Sequence, residues 1–178
     1  MTRRNATTQH PGRRHALLVG IALGFALSSA LAQEQTAAAR EPVILTVSGL
    51  LSGARDGTVQ FNLTQLRALP QHSIRTQTPW YPGPRNFSGP LLKDVLRLAG
   101  AQGQVMQARA INDYKVSIPV SDAERFKPVL ALQIDGKPIA LRDKGPLFIV
   151  YPYDLDPQLR SSVYYSRSIW QLKALEVR

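Results

Sequence analysis

The chain contains no cysteine in its 178 residues. That excludes disulfides, a thiolate nucleophile and any metal site built on cysteine sulfur. Histidine is nearly as scarce. Of three in all, His10 and His15 lie near the N-terminus, and only His72 falls in the body of the chain. One histidine cannot build a zinc cluster, and His72 has no neighbouring motif that would make it a catalytic base, so it reads as an ordinary strand or surface residue. No G-x-S-x-G elbow, phosphate loop or dinucleotide fingerprint occurs. Asp154 and Asp156 form a lone D-x-D pair, which reads as turn chemistry after Pro152 rather than calcium ligation. Internal repeats are absent, and no apolar run reaches the ~20 residues of a membrane helix.

What is present begins with the pattern of an export signal. Arg3, Arg4, Arg13 and Arg14 make a basic start, and Ala16 to Leu27 is an uncharged apolar run. Ala30-Leu31-Ala32 has the small-x-small pattern that precedes signal cleavage. The expectation is a cleaved signal over residues 1–32 and a periplasmic product that starts at Gln33. Arg13-Arg14 is compatible with either general or twin-arginine export. All 12 acidic residues follow Ala32, whereas four of the 22 Lys and Arg precede it. The exported part is therefore less basic than the formal +10 of the whole chain. Its cations are scattered and match no nucleic-acid module, which points to solubility or weak attraction for anions instead. Membrane contact is expected only through the signal before cleavage, and the remaining length suits one domain.

Residues 33–42 read as a flexible leader. Val43 to Val47 is rich in β-formers, and Thr58 to Leu63 alternates as a half-buried strand would. Thr64 is placed to cap a short helix over Gln65 to Leu69, stopped by Pro70. A strand from His72 to Thr78 leads into a stiff loop around Trp80. Pro90 opens a helix ended by Gly100, with Leu91, Leu92, Val95, Leu96 and Leu98 as its apolar stripe. Val105 to Ala110 and Tyr114 to Val120 read as strands, and Ser121 with Glu124 as a capping box for a turn around Ala123 to Phe126. Val129 to Ile134 feeds the Asp135-Gly136 turn, from which Pro138 to Leu141 returns. Leu147 to Tyr151 reads as a buried strand, Tyr164 to Arg167 as a contact loop, and Ile169 to Val177 as the closing strand. The fold class is α+β, mostly β, in one domain over residues 43–178.

Six further segments fall in a telling order. Thr76-Gln77-Thr78-Pro79-Trp80 precedes Phe87-Ser88-Gly89-Pro90-Leu91-Leu92-Lys93-Asp94-Val95-Leu96. Asn112-Asp113-Tyr114 comes next, with Ile118-Pro119 behind it. Leu130-Ala131 runs through Asp135-Gly136-Lys137-Pro138-Ile139, then Gly145-Pro146-Leu147 through Val150-Tyr151-Pro152, and Ser166 to Leu172 closes. Together they resemble the sulfite-oxidase-type oxidoreductase molybdopterin-binding domain over about Val43 to Val177. The resemblance implies that domain's compact mixed-strand fold. It also implies a metal-ligating cysteine near Thr76 to Thr78, where this chain has threonine. An alcohol is far less acidic than a thiol, and soft thiolate suits the metal better. The expectation is a family fold without the family's chemistry: no bound cofactor, and a non-catalytic module that binds a ligand or partner. The alternative is a molybdopterin-dependent oxidoreductase subunit in which Thr76 or Thr78 stands in for the thiolate.

The candidate pocket follows from side-chain chemistry. Arg142 and Arg167 carry planar forks suited to an anion. Trp80, Tyr114 and Tyr153 supply apolar walls with polar tips. Asn112, Asp113, Tyr151 and Asp154 complete the group, with Thr76 and Thr78 where the family's ligand would sit. The expected partner is a small anion, or a membrane-bound signalling or redox protein.

Overall fold

The β-branched run that starts at Val43 forms a strand because every second side chain has a core to enter: Leu45 and Val47 are fully buried. The computed structural model describes residues 41–54 and 56–178. The expected signal, and the expected leader up to Arg40, lie outside the described residues. The elements begin with β1 (Val43–Gly49), β2 (Thr58–Asn62), α1 (Leu63–Ala68), β3 (Gln71–Thr76), β4 (Arg85–Pro90), α2 (Leu92–Leu98) and β5 (Val105–Ala110). They continue with β6 (Lys115–Pro119), α3 (Ser121–Arg125), β7 (Val129–Ala131), β8 (Gln133–Ile134), β9 (Lys137–Pro138), β10 (Phe148–Val150), α4 (Ser162–Arg167) and β11 (Leu172–Val177). Short strands and a few short helices make the protein α+β and mostly β.

Three sheets share one core. The largest runs β2-β1-β11-β5-β6, with β1 and β11 parallel and the other pairs antiparallel. A second runs β3-β4-β8-β9, and a third pairs β10 with β7. Phe87, Leu92, Leu130, Phe148 and Tyr151 are completely buried among them. Each such side chain contributes on the order of 2 kcal/mol by leaving water. At Gly89 in β4 the second sheet lies directly against the third. A Cβ there would lie 2.0 Å from the Leu130 carbonyl oxygen, so only glycine fits.

Local chemistry explains where the elements start and stop, and several differ from the sequence reading. Asn62, not Thr64, caps α1. Its Oδ1 accepts the Gln65 N–H at 2.8 Å, while Gln65 Oε1 accepts the Asn62 N–H at 2.9 Å. Pro90 ends β4 rather than opening α2, because Leu91 still bridges Val129 in extended conformation. Ser121 and Glu124 make no capping box, since Val120 occupies the cap position without a side-chain bond. The Asp135-Gly136 turn forms as expected, with both residues at positive φ (50° and 76°), as a two-residue hairpin demands. The largest departure is α4, expected as a loop. Its Tyr164 and Tyr165 pack on Phe126 and Tyr153 at ring separations of 5.2 and 5.0 Å, and this packing overrides weak helix propensity.

Candidate functional site

The loop that leaves β3 is fixed by a reciprocal clamp. Asp154 N–H donates to Thr76 Oγ1 at 3.2 Å, and Gln77 N–H donates back to Asp154 Oδ2 at 2.8 Å. The other carboxylate oxygen of Asp154 meets Arg160 Nη2 at 3.0 Å, and Arg160 Nε donates to the Tyr153 carbonyl at 3.1 Å. This frame places Thr78 beside a small polar cavity of about 320 Å³, shared with Gln77, Pro79, Asp154, Arg160 and Tyr165. Thr78 is only 6 % exposed, yet its hydroxyl has no hydrogen-bond partner. A buried polar group without a partner costs about 1–3 kcal/mol, so this atom is the outlier of the site.

A second cavity, of about 380 Å³, adjoins the first through Pro79 and Tyr165. Trp80, Tyr114, Ile169 and Trp170 give it apolar walls, and Asn112, Ser166 and Ser168 add polar edges. Trp80 is held edge-on by Phe148, Trp170, Tyr165 and Tyr153 at centroid distances of 5.4, 5.6, 6.0 and 6.4 Å. Tyr153 is buried beneath it and shares a hydrogen bond with Ser168. Ser168 spends its own hydrogen on the Tyr164 carbonyl at 2.9 Å, which leaves the Tyr153 phenol as the donor. Burial pushes the Tyr153 hydroxyl well above the usual phenol range. Lys144 Nζ lies 4.9 Å from the centre of the Trp170 ring, a cation–π approach at the outer side of the aromatic group.

Tyr151 and Arg167 belong to a different arrangement. Both reach Asp122, a buried carboxylate at the start of α3: the phenol at 2.8 Å and the guanidinium at 2.9 Å. Burial first, and then the Asp122 charge, raise the Tyr151 hydroxyl far above its ordinary value. Arg167 is thus engaged by an internal acid, and it ties α4 to α3.

The sequence candidates therefore separate. Thr78 and Asp154 line the polar cavity, with Thr76 bonded to Asp154 behind it, and Trp80, Asn112 and Tyr114 line the apolar one, with Tyr153 below. Asn112 Oδ1 also accepts the Tyr114 N–H at 3.2 Å, which shapes that turn. Asp113 points to solvent at φ 64° and pairs with Lys173 at 2.9 Å and Arg109 at 3.6 Å. The Lys173 hydrogen bond holds its carboxyl below the usual range. Arg142 sits on the turn over Leu141–Asp143, its side chain 89 % exposed beside Asp143. Neither Arg142 nor Arg167 lines the two cavities at Trp80. Asp122 and Arg160 were missed in the sequence, where Tyr165 was read only as part of a contact loop and Ser168 only as part of the closing segment, because each acts through a partner on another element.

The donor set at this site does not fit molybdenum. Thr76 Oγ1 already accepts a main-chain hydrogen, Thr78 offers only an alcohol, and the one sulfur among the described residues is Met106, buried in the core. Hard, barely acidic oxygens are poor replacements for a thiolate. No model of a known protein family matches the chain, and no curated protein matches it.

Proposed function

We propose that this protein is an exported, periplasmic binding module on a domain resembling the sulfite-oxidase-type molybdopterin-binding fold. On this reading it holds a small flat ligand at the Trp80 cleft and carries out no molybdenum redox chemistry. The observation that carries the reading is the unpartnered Thr78 hydroxyl, buried at a polar cavity that continues into an aromatic one. An apolar recess with a few convergent polar groups is the usual form of a small-molecule site. A ligand with a flat apolar part suits the cavity that Trp80, Tyr114 and Trp170 wall, and a polar edge of the same ligand supplies the partner that Thr78 lacks. The anion expected from the sequence finds weaker support, since Arg160 and Arg167 are already paired with Asp154 and Asp122.

The test is the content of the protein purified from the periplasm of a host that makes molybdopterin. Metal and pterin analysis, with mass spectrometry of the denatured supernatant, should find a small heterocycle without molybdenum. Its loss in Thr78→Val and Trp80→Ala variants would locate it. Stoichiometric molybdenum would overturn the reading in favour of an oxidoreductase subunit with an unusual oxygen ligand.

A further inference from the structure

The roomiest cavity described, about 720 Å³, shares no lining residue with the two at Trp80. His72, Ser73 and Ile74 of β3 all border it. Successive strand residues point to opposite faces, so three in a row reach one space only along the edge of the strand, where the main chain is accessible. β3 is an edge strand of its sheet. It pairs with β4 on one side. Among the described residues, no main-chain group of β3 hydrogen-bonds to any other segment of main chain. In an antiparallel strand alternate residues turn both N–H and C=O to the same edge, so half of β3 presents free donors and acceptors outward.

The surroundings select what such an edge would take. Ile74, Leu91, Phe126 and Leu159 give the cavity an apolar floor, and Leu155 stands 82 % exposed at its border. Lys93, Arg125 and Lys127 also line it. Among the described residues, Lys127 pairs with no carboxylate, and Arg125 reaches only the Gln158 amide oxygen at 3.4 Å and the Phe126 ring at 4.7 Å. The acids are already engaged. Asp94 is bound to Arg97 at 2.6 Å, and Asp156 caps its turn by accepting from Gln158.

We propose that the free edge of β3 captures an extended acidic segment of a partner protein, which adds as a fifth strand to the β3-β4-β8-β9 sheet. Main-chain hydrogen bonds supply affinity, alternate apolar side chains enter the cavity, and carboxylates meet Arg125 and Lys127. A second copy of this chain is disfavoured, because edge-to-edge pairing would bring Arg75 and the flanking Arg125 and Lys127 against their own kind. The proposal is independent of the Trp80 cleft.

An eight-residue peptide that alternates glutamate with valine and threonine is the probe, titrated into the full chain by fluorescence anisotropy. Saturable binding is expected, together with protection of β3 amides from hydrogen exchange. N-methylation of the peptide at one set of alternate residues should abolish binding, while the other set is tolerated. A lysine-for-glutamate version should not bind. Arg125→Glu with Lys127→Glu should weaken binding at least about tenfold, and more at low salt, with the unfolding midpoint as the control for folding. Three results would overturn the proposal: no saturable binding, binding indifferent to N-methylation in both registers, or protection of β3 by self-association alone.

Discussion

Tyr151 and Arg167 converge on a single oxygen atom, Oδ2 of Asp122, from a strand end and a helix end. Neither touches the Trp80 cavities, although the segments that carry them border the aromatic group. The pair therefore sets where α4 lies, and through α4 the position of Tyr165 and Ser168.

Removing the shared carboxylate should cost more than removing either partner. Asp122→Ala leaves a mostly buried guanidinium and a buried phenol unpaired, for a loss of about 3 kcal/mol. Tyr151→Phe, which keeps the ion pair, should lose about 1.5 kcal/mol. Urea denaturation gives both numbers, and a Tyr151→Phe/Arg167→Met cycle gives their coupling. Additive losses in that cycle would mean that the two contacts are independent.

Alkaline pH should reveal the buried phenols. The hydroxyls of Tyr151 and Tyr153 are raised in the folded state, so the unfolded chain releases these protons first. Their stabilising contribution is complete below the ordinary tyrosine value of about 10 and is lost as pH rises above it. In a jump to about pH 11.5, Tyr151 and Tyr153 should ionise only at the rate of unfolding, read as absorbance at 295 nm.

Acid acts in the opposite sense at the β8–β9 hairpin. The Asn86 N–H and then Arg85 hold the Asp135 carboxyl below its usual range. Its contribution is present above the ordinary Asp value of about 4 and fades as pH falls below it. Asp135→Asn, which tolerates the positive φ, should be less stable than the parent at pH 7 and equal to it near pH 2. Thermal unfolding at the two pH values checks this.

Thr78→Val should stabilise the ligand-free protein. It removes an unpartnered buried hydroxyl at nearly constant volume, a gain of about 1 kcal/mol. The same change should weaken ligand binding at the Trp80 cleft. A variant that is destabilised would show that the hydroxyl already has a partner.

Gly89→Ala probes the contact between sheets. With no room for a Cβ against Leu130, β4 or β7 must shift, at a cost of at least about 2 kcal/mol. Chemical denaturation measures it, and Gly83→Ala, with open space for the added carbon but φ at +70°, gives the cost of backbone strain alone for comparison.

How much of this could be read from the residues depends on the range over which each signal acts. β1, β5 and α2 were legible because their apolar periodicities are local, and the Asp135-Gly136 hairpin because its turn demands two residues tolerant of positive φ. The helix α4 was not, since Ser-Val-Tyr-Tyr-Ser-Arg favours no helix and is folded by distant rings. Trp80 and Tyr114 were read as cavity walls from their side-chain chemistry, and Thr78 was singled out only through the family resemblance; all three border the two adjoining cavities. Arg167 was read as a free anion ligand because its partner, Asp122, lies 45 residues away. A pairing at that distance leaves no periodic trace. Asp154 shows the same effect, since the clamp it forms spans 77 residues to Gln77.

β11 comes last among the described strands and yet lies in the middle of the largest sheet, between β1 and β5. During synthesis, the strands on either side of that gap exist long before the piece that joins them. Leu45 and Val47 on one side, and Met106 and Ala108 on the other, wait without the neighbour that completes their sheet. A chain that lacks residues 172–177 cannot close this sheet, so its two halves stay apart until the strand latest in sequence among them is in place.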